Sequence, residues 1–347
     1  MTGKIASINL SLKNIWQSWF KFKKGKKYTL RLHEFQYNLE ENLRKMFVDL
    51  NFDHYQHGGY KKFIVKDNKK REISVCEIRD RVLHRLIYEY LCEVYDKTFV
   101  FDAWSCRKGK GLQGAIKRTQ KFMWTHKNGY VWKSDIKKFF DNVNKKKLKE
   151  TLSRRIKDEK TFKLLCVIID SFHSDSCANK GIPIGNLTSQ IFSNIYLNEL
   201  DRFVKYKIKP KAYLRYGDDF ILMESNLENL TSMKQRVELF IKNVLDMEIN
   251  RKSEAVIKAK HGLKFLGVII YPKSRTLNKR NENKILKNLN PKNTPSYHGT
   301  VSQNGSRKFQ KKFSWQILKL IQETQNFIQS PSGNPTPCFP SSSTPLK

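Results

Sequence analysis

The segment Tyr213-Leu214-Arg215-Tyr216-Gly217-Asp218-Asp219-Phe220-Ile221-Leu222 sets two adjacent carboxylates between two apolar runs. The pattern predicts strand, turn, strand over Tyr213 to Met223, with Gly217 in the bend. A turn that tight joins antiparallel neighbours. Asp is depleted in strands, and adjacent carboxylates repel unless something offsets their charge. A divalent cation does so: Mg²⁺ takes oxygen ligands, usually one or two carboxylates plus substrate phosphates. An ordinary exposed hairpin turn also accommodates Asp218-Asp219, so the doublet alone leaves both readings open.

A second carboxylate ends an apolar strand predicted over Tyr130 to Ile136. Asp135 lies 83 residues before Asp218 (218 − 135), so no local contact pairs them. If their strands are neighbours, three carboxylates converge, as a two-metal site about 3.5–4 Å across requires. Otherwise Asp135 is a strand-end turn residue. Asp141, a few residues on, reads as a helix cap. A third segment, Gly181-Ile182-Pro183-Ile184-Gly185-Asn186-Leu187-Thr188-Ser189-Gln190, leads two glycines and a proline into a helix start. Such a turn lets a flat base or sugar approach the backbone closely, although a plain loop before a helix has the same composition.

Charge narrows the partners. The 347 residues carry 67 Lys+Arg and 32 Asp+Glu, a formal net charge of +35. That far exceeds the magnitude of about 2–8 that solubility alone asks of a small domain. A polyanion is implied, most simply a phosphate backbone; an anionic membrane surface would attract the same charge. No window approaches the roughly 18 apolar residues of a spanning helix. The N-terminal region mixes Trp and Phe with Lys and does not read as a secretory signal. The cysteines, at 76, 92, 106, 166, 177 and 338, form no C-x-x-C pair and have no His at zinc-finger spacing. Neither structural zinc nor a disulfide framework is indicated, and a reducing cytosol is expected.

Helices alternating with short strands, and the Gly217 turn, predict an α+β fold. Helices are expected over 8–27, 29–50 and 81–95, and one capped by Thr188 or Ser189 carries Phe192, Ile195, Tyr196, Leu200 and Phe203. Lys61–Val65 and Arg71–Val75 flank a polar turn and read as a hairpin, and Leu263–Tyr271 as a strand. Asn288–Ser306 reads as loose, and the Pro/Ser-rich residues 330–347 as a disordered tail.

Tyr216-Gly217-Asp218-Asp219 resembles the Y-x-D-D box of reverse transcriptases, and Asp135 to Asp141 resembles their first carboxylate motif. In most of these enzymes the turn corresponding to Ile182–Gln190 carries Gln before Gly and ends in Ser-Pro. Here it carries Ile184 and ends in Ser189-Gln190, a variant similar to the reverse transcriptases of diversity-generating retroelements. The resemblance covers roughly residues 55–275, with the motifs in order.

The resemblance implies a right-hand polymerase: N-terminal helices and fingers over 1–130, a palm over 131–272 with an interleaved fingers segment at about 145–185, and a short helical thumb over 273–329. It implies two Mg²⁺ ions, with Mn²⁺ as a substitute, held by Asp135, the Ile136 carbonyl, Asp218 and Asp219. Lys252 corresponds to a late palm lysine that protonates pyrophosphate, where a plain surface lysine would look the same. Arg71 matches a fingers arginine on the incoming triphosphate, and Lys66 its companion lysine; a solvated charge run is the ordinary alternative. Phe140 stands where the family places a steric gate against the ribose 2′-hydroxyl, unless it is core as Phe139 is expected to be. Ile184, Gly185 and Asn186 would line the nucleotide site. Arg107, Lys108, Lys110, Tyr216 and the primer-grip residues Phe265, Leu266 and Gly267 would contact template or primer.

The implied activity is RNA-directed DNA synthesis from deoxynucleoside triphosphates, copying a template-repeat RNA into cDNA with errors at template adenines. A small basic accessory protein would be a partner, with no membrane involved, in a bacterial or phage-encoded cytoplasmic system. Retron or group II intron reverse transcriptases, an RNA-dependent RNA polymerase, or a basic RNA-binding protein with a decayed site are the alternatives.

Overall fold

The computed structural model describes residues 7–66, 70–174 and 178–329. The centre of the hairpin turn at 67–69, Cys177 and the 330–347 tail with Cys338 lie outside the described residues. The chain divides into two compact units, residues 1–261 and 262–347.

The first unit begins with α1 (Leu12–Lys23), α2 (Leu30–Tyr37) and α3 (Leu39–Asn51). Ser11 and Thr29 cap the first two by accepting backbone N–H bonds, and a break at Asn38 divides the helix expected over 29–50 into α2 and α3. Next come the antiparallel hairpin β1 (Tyr60–Lys66) and β2 (Lys70–Cys76), then α4 (Ile78–Tyr95) and α5 (Leu112–Thr125). β3 (Tyr130–Ser134) is followed by the short α6 (Phe139–Asn142), α7 (Lys145–Ser153), α8 (Glu159–Asp170) and α9 (Leu187–Phe203). β4 (Ala212–Tyr216), β5 (Asp219–Glu224), α10 (Leu227–Asn243) and β6 (Ala255–Lys258) complete the unit.

Four of these strands form an antiparallel sheet in the order β4-β5-β3-β6. The central strands are apolar nearly throughout: Val131 and Trp132 on β3, and Phe220, Ile221, Leu222 and Met223 on β5, are buried. Helices cover the sheet, α9 contributing Ile191, Phe192, Ile195, Tyr196 and Leu200 to the same core as Trp132, Phe220 and Leu222. Burying side chains of this size contributes about 1.5–3 kcal/mol each. That packing fixes the strand ends on which the carboxylates sit.

Two expected caps fall elsewhere. The residue before α9 is Asn186, while Thr188 and Ser189 lie inside the helix, both buried. Asp141 is the third residue of α6 and not its cap.

The second unit has a three-stranded antiparallel sheet of β7 (Leu263–Phe265), β8 (Val268–Ile270) and β9 (Arg275–Leu277). The single strand expected over Leu263–Tyr271 is thus a hairpin, turning at Leu266-Gly267, where both residues have positive φ (50° and 84°). α11 (Lys279–Lys287), α12 (Thr294–Asn304) and α13 (Arg307–Gln329) follow. The region expected to be loose therefore contains α12, whose buried Val301 was hidden by its Asn, Pro and Ser neighbours.

Candidate active site

The β4–β5 hairpin closes on the pair Tyr216↔Asp219, leaving Gly217 and Asp218 as the turn, with Gly217 at φ +67°. β5 pairs with β3 up to Ser134↔Phe220. Carried one step further, that register leads from Ser134↔Phe220 to Asp135 across from Asp219. The strands that sequence could not connect are therefore neighbours, and Asp135, one residue past the β3–β5 ladder, falls at the same end of the sheet as the Asp218-Asp219 turn. All three are half-buried.

On the other side of β3, residues 248–253 hold Asp135. The Asn250 N–H donates to the Asp135 carbonyl (2.9 Å), and Asn250 Nδ2 to the Asp135 carboxylate (3.3 Å). The Ser253 hydroxyl donates to the other carboxylate oxygen. Ile136 forms an antiparallel bridge with Ile249, flanked by the Asn250-to-Asp135 bond and one from Lys137 N–H to Glu248 O. Pairs so flanked point their own N–H and C=O away from the partner. The Ile136 carbonyl is thus directed to the β5 side, where Asp219 lies. Three carboxylates and one carbonyl make an all-oxygen donor set, which fits Mg²⁺ or Mn²⁺.

The Asn250–Ser253 turn is itself braced. Glu254 accepts from Trp132 Nε1 (2.9 Å), Lys234 Nζ (2.5 Å) and Arg251 Nη1 (3.0 Å). Burial opposes ionisation of Glu254, but these donors outweigh it and hold its pKa below the usual 4.5. Lys252 is exposed on this turn.

Beneath the doublet, Arg215 is the residue that sequence reading missed. Its guanidinium meets the Asp201 carboxylate in two bonds, 2.7 and 2.6 Å, and donates to the Gly217 carbonyl at 2.8 Å. Tyr213 Oη donates to the same carboxylate at 2.7 Å. Burial disfavours the Arg215 charge, but Asp201, Tyr213 and Asp218 keep it firmly protonated.

The Ile182–Gln190 turn packs on the β1–β2 hairpin. Ser74 N–H donates to the Ile184 carbonyl at 2.9 Å. Gly185, at φ +120°, lies so close that a Cβ would sit 2.7 Å from Ile73 Cγ2. Ile73 and Val75 face this turn, and Arg71 shares their face by strand alternation. Lys66 pairs with Lys70 and so belongs to the opposite face, which separates it from Arg71. Ile184 is half-buried. Asn186 is sealed inside, its Oδ1 accepting from Cys76 Sγ at 3.4 Å, so it shapes the turn and does not present its amide to a nucleotide. Phe140 is half-buried against Phe139, whose ring is buried as expected.

Arg107 requires a correction. All its N–H groups are engaged: Asp96 takes Nε and Nη2, and the carbonyls of Val100 and Ala103 take Nη1. It ties a loop and has no donor left for a phosphate. Lys110 Nζ donates to the Phe101 carbonyl and lies over the Phe101 and Trp104 rings, whereas Lys108 is exposed. Tyr216 is half-buried at the hairpin turn. In the second unit Phe265 is core, and Leu266 and Gly267 form the hairpin turn, where Asn281 Nδ2 donates to the Gly267 carbonyl.

Residues 61–270, more than half of the chain, match the family described as reverse transcriptase (RNA-dependent DNA polymerase). The chain belongs to the reverse transcriptase family. It is 24% identical over 274 residues to Protein YkfC of Escherichia coli, covering 67% of this chain and 72% of that one. It is 22% identical over 299 residues to the group II intron-encoded protein LtrA of Lactococcus lactis, covering 66% of this chain but only 49% of LtrA. Among solved structures, apo telomerase from Candida tropicalis aligns with TM-score 0.50 at 14% identity, covering 79% of this chain and 59% of that one. Telomerase from Candida albicans in complex with a fragment of telomeric RNA aligns with TM-score 0.51 at 11% identity, covering 78% and 56%. These neighbours speak to the fold, and the α+β right-hand polymerase class expected from sequence holds. No helix among the described residues is long and apolar enough to cross a membrane.

Proposed function

We propose that this chain is an RNA-directed DNA polymerase that extends a primer on an RNA template by two-metal nucleotidyl transfer. The observation that carries the reading is the β3–β5 register, which brings Asp135 against the Asp218/Asp219 turn. Asp135, Asp218, Asp219 and the Ile136 carbonyl would hold two Mg²⁺, or Mn²⁺ in their place. When bound, such ions neutralise charge on the triphosphate and favour ionisation of the primer hydroxyl.

The remaining roles belong to side chains of the chain. Arg71 makes a bidentate contact to the incoming triphosphate, which a lysine could not reproduce. Phe140 blocks a ribose 2′-hydroxyl and so selects deoxynucleotides. Ile184 and Gly185 offer an apolar, closely approached surface to the nascent pair. Lys252 Nζ holds a proton for the leaving pyrophosphate. Lys108 adds charge along the template, and Phe265–Gly267 would form the primer grip. In domain terms, residues 1–130 would form the fingers with the N-terminal helices, 131–272 the palm and 273–329 the thumb.

Within this activity, the Ile182–Gln190 variant supports a diversity-generating retroelement enzyme. It would copy a template-repeat RNA into adenine-mutagenised cDNA, with a small basic accessory protein, in a bacterial or phage-encoded cytoplasmic system. The likeness to LtrA favours a second reading, a group II intron-type reverse transcriptase. Primer extension on RNA with Mg²⁺ and deoxynucleotides tests the activity; Asp218→Asn should abolish it, and equal extension by that variant would refute the metal assignment. Fidelity separates the subtypes. Wild type should misincorporate chiefly opposite adenine and Ile184→Gln should do so less, whereas uniform wild-type errors favour the intron type.

A further inference from the structure

Outside the carboxylate cluster, three buried groups from separate segments meet at the root of the β1–β2 hairpin. They are His57, just before β1; Cys76, the last residue of β2; and His84 on α4. The His57 side chain is 2% exposed, Cys76 4% and His84 1%. One ligand atom from each lies within 4.8 Å of the other two. Sequence spacing conceals the group, since the intervals are 19 (76 − 57) and 8 (84 − 76) residues.

The orientation of the rings is specific. His57 Nδ1 lies 2.6 Å from the Gly58 carbonyl, and His84 Nδ1 lies 3.2 Å from Thr188 Oγ1. Each Nδ1 thus has an oxygen partner, His84 Nδ1 also lying 3.9 Å from Cys76 Sγ, while the two Nε2 atoms face one another at 3.2 Å. Two imidazole nitrogens bound to one tetrahedral zinc at 2.0–2.1 Å stand about 3.3 Å apart. Metal-bound histidines ordinarily donate their other N–H to such a neighbouring oxygen.

The third ligand has an unmatched neighbour. Cys76 Sγ is 3.4 Å from Asn186 Oδ1, so a thiol can donate there, but Asn186 Nδ2 is then left buried without a partner. Turning the carboxamide over aims Nδ2–H at the sulfur, and that bond suits a thiolate, not a thiol. Burial raises the Cys76 pKa to about 12, so an isolated thiolate is disfavoured without a cation.

We propose that His57 Nε2, His84 Nε2 and Cys76 Sγ form a zinc site that fastens the root of the β1–β2 hairpin to α4. Mixed nitrogen and sulfur donors suit Zn²⁺ and exclude Mg²⁺. Binding displaces the Cys76 thiol proton to solvent, shifts the His84 proton from Nε2 to Nδ1, and draws the sulfur inward towards the two Nε2 atoms. A fourth oxygen donor would complete the tetrahedron, and Tyr60 Oη, 3.4 Å from His57 Nε2, stands beside that position.

Cobalt substitution tests the site without reference to polymerisation. Co²⁺ titrated into the metal-free full chain should give one equivalent of tetrahedral d–d absorption together with a thiolate charge-transfer band. Zn²⁺ should bleach both. Cys76→Ser should lose the charge-transfer band, His57→Gln should weaken binding at least tenfold, and Asp218→Asn should bind as wild type does. Absence of the charge-transfer band in wild type overturns the proposal, even if Cys76→Ser does not fold. Its persistence in Cys76→Ser, or its loss in Asp218→Asn, overturns it equally.

Discussion

Arg215 and Asp201 form a two-pronged ion pair whose side chains are 1% and 0% exposed, directly beneath the turn that carries Asp218. The same guanidinium holds the Gly217 carbonyl at 2.8 Å, so the pair sets the position of the acidic turn without touching substrate. Breaking one partner of a buried pair leaves an uncompensated charge and costs about 3–5 kcal/mol. Arg215→Met and Asp201→Leu should each lose that much in urea unfolding, with extension falling alongside. The double variant should be more stable than either single one, and additive losses would contradict the coupling.

Ser253→Ala and Asn250→Ala each remove one side-chain bond to the Asp135 carboxylate. Stability should fall by only about 0.5–1.5 kcal/mol. The Mg²⁺ concentration for half-maximal extension should rise several-fold in both. An unchanged metal requirement would separate these two residues from the site.

Gly185→Ala meets two obstacles, a φ of +120° and Ile73 Cγ2 at 2.7 Å from the new Cβ. Backbone strain of this kind costs on the order of 1–3 kcal/mol. The variant should unfold earlier and extend poorly, and Ile73→Ala should relieve the contact but not the strain. Full recovery in the double variant would show that sterics alone were at issue.

Phe140→Ala removes a half-buried ring while Phe139 keeps the core contact with Tyr196. The fold should survive, and ribonucleotide incorporation, read as the ratio of kcat/KM for dNTP and rNTP, should rise at least tenfold. A wild type that already prefers ribonucleotides would instead indicate an RNA polymerase.

Glu254 gives a pH signature. Its pKa is lowered in the fold, so it contributes stability above its ordinary 4.5, and that contribution fades as pH falls through the folded value. The Tm difference between wild type and Glu254→Gln should be largest near neutral pH and shrink below pH 4.5. A constant difference would place the effect in packing alone.

Local pattern made the β4–β5 and β1–β2 hairpins legible, because alternating apolar residues and the turn residue Gly217 act within ten residues of one another. The three carboxylates were legible as a motif, yet their meeting depended on β3 pairing with β5, which no local rule supplies. Arg107 and Arg215 look alike as basic residues beside a motif. Only the fold shows that Asp96 and Asp201 consume them. α12 was unreadable because Pro295 occupies a first-turn position where proline is tolerated, while Asn and Ser mask the buried Val301.

The four-stranded sheet has Asp135 and the Asp218-Asp219 turn at one end of its strands and Tyr130, Lys258 and Glu224 at the other. β5 has six residues, so roughly 20 Å of paired backbone separates the two ends at about 3.3 Å per residue. Evolution, or an engineer, therefore has an insulated place to graft: the exposed Ser225-Asn226 connection is open to an added loop or tether that leaves the chemistry undisturbed.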